Sequence, residues 1–573
     1  MHFLSLFLTV TAQQSDPNSR SSITFDCHEN RTAKLGVHYR FCPMRVAMFA
    51  LIPKSIRSNS VRARQAYQLK NKGLSLIAMM LMAAFGASTA YANEQPSDVA
   101  KRTADYAKSK YQRDIVKTLA GMVRFNTVVD PALPLEKNPA HLGFKKYLKS
   151  EATRLGFDYT DHGYVVVIGY GKSEQRVGMI THGDVQPVDP TKWKQSPFKL
   201  DTKSEPGNLL GRGTEDDKGP IASGLYAMKA IKDQNIPLQK RIELYIYMAE
   251  ESDWAPLETF LKTHTPPQMN ITLDAEYPVV IAEKGYGTVQ LTVPTQNLPI
   301  DNKDAHLNAF GGGFFGSQIP EDAYASIRNA TPAVEQEIKM RAARQDKMQY
   351  TYTWNEQELQ IKAGGVSAHS SKPEDGVNAI AMLADALHFR TWQATTAGSM
   401  VNFINELLGT SLYGEKLGKA AYHDNFMGSM SVAPTVIKQT PEGIALGINI
   451  RRPQGKEASQ LKQEIQDALD AWQKKHVSLN KVSIQLSDPW IRNDAPQIPT
   501  LLSVFSHYTG IQNAKPISIG GGTNSRLFPN AVSFGPSMPG KVYSGHSEHE
   551  FISKDQLLLN LQMYTAVLIE LAK

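Results

Sequence analysis

The spacing of apolar and polar residues predicts alternating helices and strands in the first half of the chain. Residues 98–156 have helical spacing, whereas YVVVIGYG (164–171) and VGMITHGD (177–184) are β-branched runs broken by glycine, as in strands. The predicted elements that follow are a helix at 220–234, a strand at 242–251, a helix at 257–264 and a strand at 271–278. This alternation favours a layered α/β domain, whose sites lie beyond the carboxyl ends of its strands.

From about residue 287 the pattern changes to a mixture with antiparallel hairpin character. It predicts strands in TVQLTVP, YTYTWNEQELQIKAGG, GIALGINIRRP and VSIQLSD, a glycine-rich loop at 311–316, and helices at 374–390, near 400–420 and at 456–475. The α/β pattern then returns, with a helix at 499–509, strands in KPISIGGGT and AVSFG, and a C-terminal helix at 555–572. We therefore expect a core domain built from 93–286 and 488–573, interrupted by an inserted domain at 287–487.

The charge is concentrated near the N-terminus. The whole chain has 573 residues and a net charge of +7, with 62 basic and 55 acidic residues. Residues 1–92 hold 11 of the basic and 3 of the acidic residues, so the remainder holds 51 and 52. A nearly neutral body gives no reason to expect nucleic-acid or anionic-membrane binding.

The basic N-terminal part contains a candidate export signal at 70–92. Lys70 and Lys72 precede the apolar run LSLIAMMLMAAFGASTAYA, which ends in a small-x-small cleavage site at Ala90-Tyr91-Ala92. An uncleaved anchor helix is the alternative, although the run is short for a membrane span. We expect residues 1–69 to be an over-extended, disordered start and the mature protein to be periplasmic. Both cysteines, Cys27 and Cys42, precede the signal, so the mature chain offers neither a disulfide nor a thiolate ligand.

Acidic residues and histidines recur where predicted strands end. The clusters are His182-Gly-Asp184, Asp216-Asp217, Glu250-Glu251, Asp274-Ala-Glu276, and His546 with Glu550. Each alone could be a turn, a helix N-cap or a solvated strand end. Together they offer imidazole and carboxylate ligands without cysteine, which suits zinc or another divalent metal. Their number fits two metals about 3.5–4 Å apart that share a carboxylate. One residue of the Glu250-Glu251 doublet could bind metal while the other acts as a base, and Asp184 could orient the imidazole of His182.

The motifs that contain these residues resemble a known family. THGDVQPV, GRGTEDDKGP, MAEESDW, TLDAEYP, GGVSAHSSKPEDGVNA, INIRRPQG, ISIGGGTNSR and PGKVYSGHSEHE occur in this order. They resemble the dizinc exopeptidases that include aminoacylase, glutamate carboxypeptidase, carnosinase and bacterial dipeptidases, over about residues 100–570. With AYHDNFMGSM (421–430), the set is most similar to the dipeptidases of the peptidase V type. The resemblance implies a three-layer α/β catalytic domain of the phosphorylase/hydrolase-like kind, with an inserted α+β lid domain.

The resemblance also implies a role for each matching residue. His182, Asp216 and Asp274 would hold one metal, and Asp216, Glu251 and His546 the other. Glu250 would be the general base, and Asp184 would orient His182. A cis peptide bond would join Asp216 to Asp217.

The inserted domain would complete the site. His369 would stabilise the oxyanion, and Arg451 would bind the substrate carboxylate, with Arg452 as the alternative. Gly521, Gly522 and Thr523, in the Gly520–Thr523 loop, would contact the same carboxylate. Three places depart from the peptidase V pattern and leave side-chain selectivity open: Ser252-Asp-Trp254, Ser317-Gln-Ile-Pro320 and His549.

These observations predict a metal-dependent dipeptidase with two divalent ions, most simply Zn²⁺ with Mn²⁺ or Co²⁺ as alternatives. Its substrates would be dipeptides or short peptides with a free C-terminal carboxylate. An N-acyl amino acid amidohydrolase or a carboxypeptidase of the same family is the first alternative, and a catalytically silent periplasmic peptide-binding protein is the second. The chain would bind no nucleic acid, have no stable membrane span after cleavage, and be a monomer or homodimer.

Overall fold

The computed structural model describes residues 95–296 and 303–573. The predicted signal peptide, its cleavage site, the over-extended start and both cysteines lie outside these residues. Among the described helices, none combines the length and the apolar character needed to cross a membrane.

Eleven α-helices and twenty-five strands form the described part of the chain. The helices are α1 (Asp98–Tyr111), α2 (Asp114–Val123), α3 (Pro139–Leu155), α4 (Lys218–Asp233), α5 (Ala255–Thr263), α6 (Pro332–Ala342), α7 (Ala379–Ala386), α8 (Thr396–Phe403), α9 (Ala458–Gln473), α10 (Ile498–Thr509) and α11 (Lys554–Ala572). The strands are β1 (Asp158–Asp161), β2 (Val165–Tyr170), β3 (Arg176–His182), β4 (Asn208–Leu210), β5 (Arg241–Tyr247), β6 (Met269–Thr272), β7 (Ala275–Glu276), β8 (Val280–Glu283), β9 (Gly285–Pro294), β10 (His306–Gly312), β11 (Gln318–Ile319), β12 (Asp322–Arg328), β13 (Gln349–Asn355), β14 (Glu358–Gly364), β15 (Ala368–His369), β16 (His423–Asp424), β17 (Gly428–Ser429), β18 (Ser431–Thr440), β19 (Gly443–Arg452), β20 (Asn480–Leu486), β21 (Trp490–Ile491), β22 (Ile517–Ile519), β23 (Ala531–Ser533), β24 (Pro536–Ser537) and β25 (Phe551–Ser553).

A nine-stranded sheet, which we call the first sheet, has the order β1-β2-β5-β3-β6-β23-β8-β21, with β22 beside β8. Its centre is parallel, because β5, β3, β6 and β23 pair in the same direction. The strands predicted at 164–171, 177–184, 242–251 and 271–278 are confirmed as β2, β3, β5 and β6.

Apolar side chains cover both faces of the first sheet. Val166 and Ile168 of β2 belong to the large core that includes helices α1–α4, α10 and α11. Val165 and Val167 of the same strand pack on the other face with Leu257 of α5. Because adjacent residues of a strand point to opposite faces, an uninterrupted apolar run is what a sheet buried on both sides requires.

An eight-stranded sheet, the second sheet, is antiparallel throughout and has the order β13-β14-β12-β10-β18-β19-β9-β20. Its strands come from residues 285–486, between the two segments that build the first sheet. Helices α6–α9 contribute to the apolar core of this sheet. The result is an α/β layered unit with an inserted α+β region, as the sequence predicts.

Two predicted helices of the inserted region are wrong in extent. The helix predicted at 374–390 is a 3₁₀ turn at Pro373–Asp375 followed by α7. The stretch predicted near 400–420 is α8, a π-helical turn at Ile404–Leu408 and a 3₁₀ segment at Glu415–Ala420. Gly409 has a φ of 66°, a conformation that glycine adopts without steric cost and that ends the helix.

Candidate active site

The strand-end clusters meet at one edge of the first sheet. His182 is the last residue of β3 and lies opposite Tyr247, the last residue of β5. Glu250 and Glu251 follow β5, and Asp274 follows β6, which also runs parallel to β3. Because parallel strands end at the same edge, residues far apart in sequence converge there.

Asp216 lies between the two histidines. Its Oδ1 is 2.8 Å from Nε2 of His182, and its Oδ2 is 3.2 Å from Nε2 of His546. Asp216 reaches this position from the turn before α4, and its peptide bond to Asp217 is cis. Asp217 occupies the N-cap position of α4, but its side chain makes no cap bond; it accepts a hydrogen bond from the backbone N–H of His182 instead.

The remaining acidic residues divide between the two histidines. Asp274 Oδ2 is 3.7 Å from His182 Nε2, and Glu251 Oε1 is 3.0 Å from His546 Nε2. This division agrees with the two ligand sets that the resemblance implies, with Asp216 in both. The most compact groups of ligand atoms are instead His182 with Asp216 and Glu251, and His182 with Glu250 and Asp274. We favour the grouping of Asp274 with His182 and of Glu251 with His546. In that grouping each carboxylate oxygen of Asp216 contacts a different histidine.

The chemistry of this cluster fits divalent cations. Two imidazole nitrogens and several carboxylates converge, and the described residues include no cysteine. Burial, followed by the charge of Asp274, raises the pKa of Glu250 well above its usual range. Burial likewise raises the pKa of Asp274, and the neighbouring carboxylates Asp216 and Glu251 add to the effect. Crowded buried carboxylates are costly without a compensating positive charge, which a metal ion supplies.

Asp184 positions both glutamates. Its two carboxylate oxygens accept hydrogen bonds from the backbone N–H groups of Glu250 and Glu251, each at 3.0 Å. The side chain of Asp184 is fully buried. His182 Nδ1 is 3.1 Å from the main-chain oxygen of Asp184 and 3.5 Å from its carboxylate. The closer contact of Asp184 with His182 is therefore through its backbone oxygen and not through the carboxylate that was expected to orient the ring. The carboxylate instead accepts the two backbone hydrogen bonds, a role that the sequence pattern did not reveal.

Two further glutamates hold the backbone around Asp216. Glu550 was among the candidate ligands of the strand-end clusters, but its carboxylate bonds within the protein, and Glu215 had no predicted role. Glu550 Oε1 accepts hydrogen bonds from the N–H groups of Glu215 and Asp216, at 3.0 and 3.2 Å. Its Oε2 forms a fully buried ion pair with Arg212 at 2.7 Å. The Glu215 carboxylate accepts hydrogen bonds from the backbone and hydroxyl of Ser544, two residues before His546. In the sequence, only the position of Glu550 at the end of SGHSEHE indicated that one of these glutamates lies near the site.

His369 projects from the inserted region to the ligand cluster. It lies in the short strand β15, which pairs with β11, and its ring centroid is 4.3 Å from that of His546. The N–H of Ser371 donates to Nδ1 of His369 at 3.0 Å, so the ring proton is assigned to Nε2. Burial, then the neighbouring His546 and Arg451, holds the pKa of His369 well below its usual range. A neutral ring with a proton on Nε2 is a hydrogen-bond donor to the cleft.

Arg451, not Arg452, is on the side of the site. Arg451 Nη2 donates to Ser370 Oγ at 3.1 Å, beside His369, and its guanidinium lies 4.9 Å from the centroid of the Tyr286 ring. Burial lowers its pKa to about 10. Arg452 instead bonds to the carbonyl of Ser487 and the carboxylate of Asp488, as expected when neighbouring residues of a strand point to opposite faces.

The three loop residues Gly521, Gly522 and Thr523 line a cleft together with His369, Asp216, Glu250, Glu251 and Asp274. The hydroxyl of Thr523 donates to Glu283 at 2.6 Å, so this hydroxyl is already engaged within the protein. The backbone of the loop remains the expected contact for a carboxylate.

Two of the three departures from the peptidase V pattern are at 317–320 and at His549. Gln318 donates to the carbonyl of His546 at 2.8 Å, and Ser317 Oγ accepts from Gln186, whose amide also donates to Glu251. This segment therefore contacts the loop of His546 directly and reaches Glu251 through Gln186. His549 is mostly exposed and pairs with Glu205 at 3.0 Å.

The sequence pattern of Peptidase family M20/M25/M40 matches residues 178–570. The chain belongs to this family. Its relatives include "Putative dipeptidase YtjP" of Bacillus subtilis (strain 168), 29% identical over 473 residues, which are 81% of this chain and 98% of that protein. The Beta-Ala-Xaa dipeptidase of Lactobacillus delbrueckii subsp. lactis is 29% identical over 471 residues, 80% of this chain and 96% of that protein.

Solved M20-type structures share the fold. Human carnosine dipeptidase 1 matches with a TM-score of 0.51 at 16% identity, over 82% of this chain and 99% of that chain. The di-peptidase Dug1p from Saccharomyces cerevisiae matches with a TM-score of 0.50 at 14% identity, over 82% and 98%. The predicted family and fold are confirmed, and the protein is a peptidase of the metal-dependent M20 family.

Proposed function

We propose that this M20 peptidase is a dipeptidase that hydrolyses dipeptides, or short peptides, with a free C-terminal carboxylate. The observation that carries the proposal is the position of Glu250. It lines the cleft beside the ligand cluster, yet its Oε1 accepts a hydrogen bond from Asn524 at 3.2 Å, whereas its neighbour Glu251 contacts His546. The relatives named as dipeptidases, aligned over 80% or more of this chain, support the substrate class.

The ligands are proposed as His182, Asp216 and Asp274 for one ion, and Asp216, Glu251 and His546 for the other. Two divalent ions, zinc in the simplest case and manganese or cobalt otherwise, supply the Lewis-acid chemistry that activates water near neutral pH.

Three groups of this chain then act on the peptide. Arg451 and the backbone of Gly521–Thr523 bind its carboxylate. Glu250 accepts a proton from the attacking water and delivers it to the leaving amine, so that one water is consumed and one peptide bond is cleaved. His369 donates from Nε2 to the carbonyl oxygen as negative charge develops there.

A substrate panel tests this proposal. The full chain, loaded with each metal in turn, is assayed with free dipeptides, C-amidated dipeptides, longer peptides and N-acetyl amino acids. Free dipeptides should be cleaved fastest, and amidation should raise KM. Cleavage of N-acetyl amino acids without cleavage of dipeptides would replace the proposal with amidohydrolase activity, and preference for longer peptides would indicate a carboxypeptidase.

Glu250→Gln tests the mechanism. The variant should lose turnover and keep its metals, because only the base is removed. Glu243→Gln is the matched control: it removes a buried carboxylate near the other end of β5, where Glu243 contacts Arg176 and Arg241, and should keep turnover. Unchanged hydrolysis by Glu250→Gln would exclude the proposed base, and an inactive wild type would favour a peptide-binding protein.

We also propose that the protein is exported to the periplasm and cleaved after Ala92. The support is the basic, apolar and small-residue sequence of 70–92. N-terminal sequencing of the exported protein should begin at Asn93. Retention of the segment in membrane-bound protein would indicate an uncleaved anchor.

A further inference from the structure

Tyr543 brings a phenol hydroxyl into the same cleft. Its hydroxyl donates to Asp216 Oδ2 at 2.6 Å, and its ring centroid is 6.0 Å from that of His369. Tyr543 lines the cleft with Glu250, Asp274 and His369. None of the roles assigned above involves this residue.

Gly545 makes room for the tyrosine ring. A Cβ atom on this residue would lie 2.3 Å from both Cζ and the hydroxyl oxygen of Tyr543, far closer than any real contact. The ring therefore folds back over the chain just before His546, and a residue with a side chain at 545 would displace it. The absence of a side chain at 545 thus leaves room for the phenol beside the ligand residue Asp216.

The hydroxyl is bonded to Asp216 and borders the cleft in which a substrate would lie. Asp216 Oδ2 already contacts His546 Nε2 at 3.2 Å, and this carboxylate is proposed to bind both ions. A phenol hydrogen rotates about the Cζ–O bond, so it can turn from Asp216 to a substrate oxygen in the cleft. His369, on the neighbouring side, is the other donor described at this position.

We propose that Tyr543 is a catalytic residue, whose hydroxyl donates a hydrogen bond to the carbonyl oxygen of the scissile peptide bond as that oxygen gains negative charge. It acts beside His369, and its proton stays on the phenol throughout, so no bond to Tyr543 is made or broken. The inference rests on the proposed peptidase function and adds a second oxyanion donor.

Tyr543→Phe tests the inference, because it keeps the ring and removes the hydroxyl. We expect kcat on a good dipeptide to fall about 10- to 100-fold, with KM within about twofold of wild type. Metal content, measured by elemental analysis, should stay unchanged. Unchanged kcat would overturn the inference. Loss of activity together with loss of metal would also overturn it, since the hydroxyl would then act only by positioning Asp216.

Gly545→Ala supplies an independent test through the ring. In the chain that keeps Tyr543, the methyl group added by Gly545→Ala should displace the phenol and lower kcat about as much as Tyr543→Phe does. In a Tyr543→Ala background there is no ring to displace, and Gly545→Ala should cost little more. Equal losses in both backgrounds would overturn the role of Gly545. Circular dichroism melting of each variant verifies that it is folded.

Tyr245→Phe is the matched control. Its hydroxyl also donates to a carboxylate, Glu243 Oε2, at 2.7 Å, but it lies on β5 outside the residues that line the cleft. It should keep wild-type kcat. A wild-type enzyme that cleaves no dipeptide would overturn the proposed function and this inference together, whereas an active wild type with an equally active Tyr543→Phe would overturn the inference alone.

Discussion

The two sheets contribute to the site in different ways. The first sheet is parallel at its centre, so β3, β5 and β6 end at one edge and bring His182, the Glu250-Glu251 doublet and Asp274 together. The second sheet is antiparallel, so its strand ends alternate between two edges, and among the described residues they gather no such cluster. It provides Arg451 from β19, and the short β11–β15 pair between its strands provides His369. Parallel strands thus bring several charged side chains to one edge of the first sheet, whereas the inserted region contributes single side chains from separate elements.

Removal of metal should have the largest effect, and it tests the edge of the first sheet. Dialysis against a chelator should reduce hydrolysis to the background rate, and adding back a divalent ion should restore it. The thermal midpoint should also fall, because an ion that binds the folded chain stabilises it. Full activity after elemental analysis has verified metal removal would break the assignment of the cluster.

His369→Ala tests the main contribution of the inserted region. We expect kcat to fall on the order of 100-fold with unchanged metal content, because the donor is lost while the ligands of the first sheet remain. His423→Ala, which changes an exposed histidine of the same region that contacts Ser429, should keep wild-type kcat. Loss of metal from the His369→Ala variant would contradict the assignment of His369 to the oxyanion and of metal binding to the other residues.

Substituting Arg451 and Arg452 one at a time tests which of these neighbours in β19 binds the substrate carboxylate. Arg451→Lys should raise KM on the order of tenfold for free dipeptides and little for C-amidated ones, because a lysine cannot form the bidentate contact. Arg452→Lys should lower the thermal midpoint instead, because Arg452 bonds to Ser487 and Asp488. The same KM change in both variants would refute the assignment of Arg451.

The smallest expected effect is on how the free energy of unfolding depends on pH, and it comes from glutamates in helices beside each sheet. Burial raises the pKa of Glu151 in α3, but hydrogen bonds from Arg154 and Thr118 outweigh it and leave the pKa below the ordinary value of 4.5. The unfolded chain therefore binds more protons in this range, so this stability is present above pH 4.5 and is lost as the pH falls through the folded pKa.

Glu151→Gln should accordingly show a smaller loss of urea stability than wild type between neutral pH and pH 4. Glu335→Gln in α6 is the counterpart beside the second sheet, where hydrogen bonds from Lys339 and Trp354 lower the pKa. Its effect should be smaller because both partners are exposed. Equal effects in the two variants would contradict this ranking.

The sequence predicted what depends on local pattern. β-Branched runs located β2, β3, β5 and β6, and the polar residues that follow them marked the edge at which the ligands meet. Residues 400–420 were harder, because their helical spacing continues through a π turn and is ended only by glycine conformation at Gly409.

The supporting contacts could not be predicted, because they join distant parts of the chain. Glu550 bonds to the backbone of Glu215, 335 residues earlier, and nothing near either residue encodes that pairing. The same reason hid the bond from Tyr543 to Asp216, which spans 327 residues. The choice between Arg451 and Arg452 needed the sheet itself, because strand alternation says that they diverge without saying which one lies on the side of Ser370 and His369.

The carboxylate of Asp184 couples the proposed general base Glu250 to the proposed metal ligand Glu251. Its two oxygens hold consecutive N–H groups, so a displacement of Glu250 along the cleft must carry Glu251 with it. The position of the proposed base relative to the proposed ligand Glu251 is thereby held by a residue that follows the neighbouring strand β3.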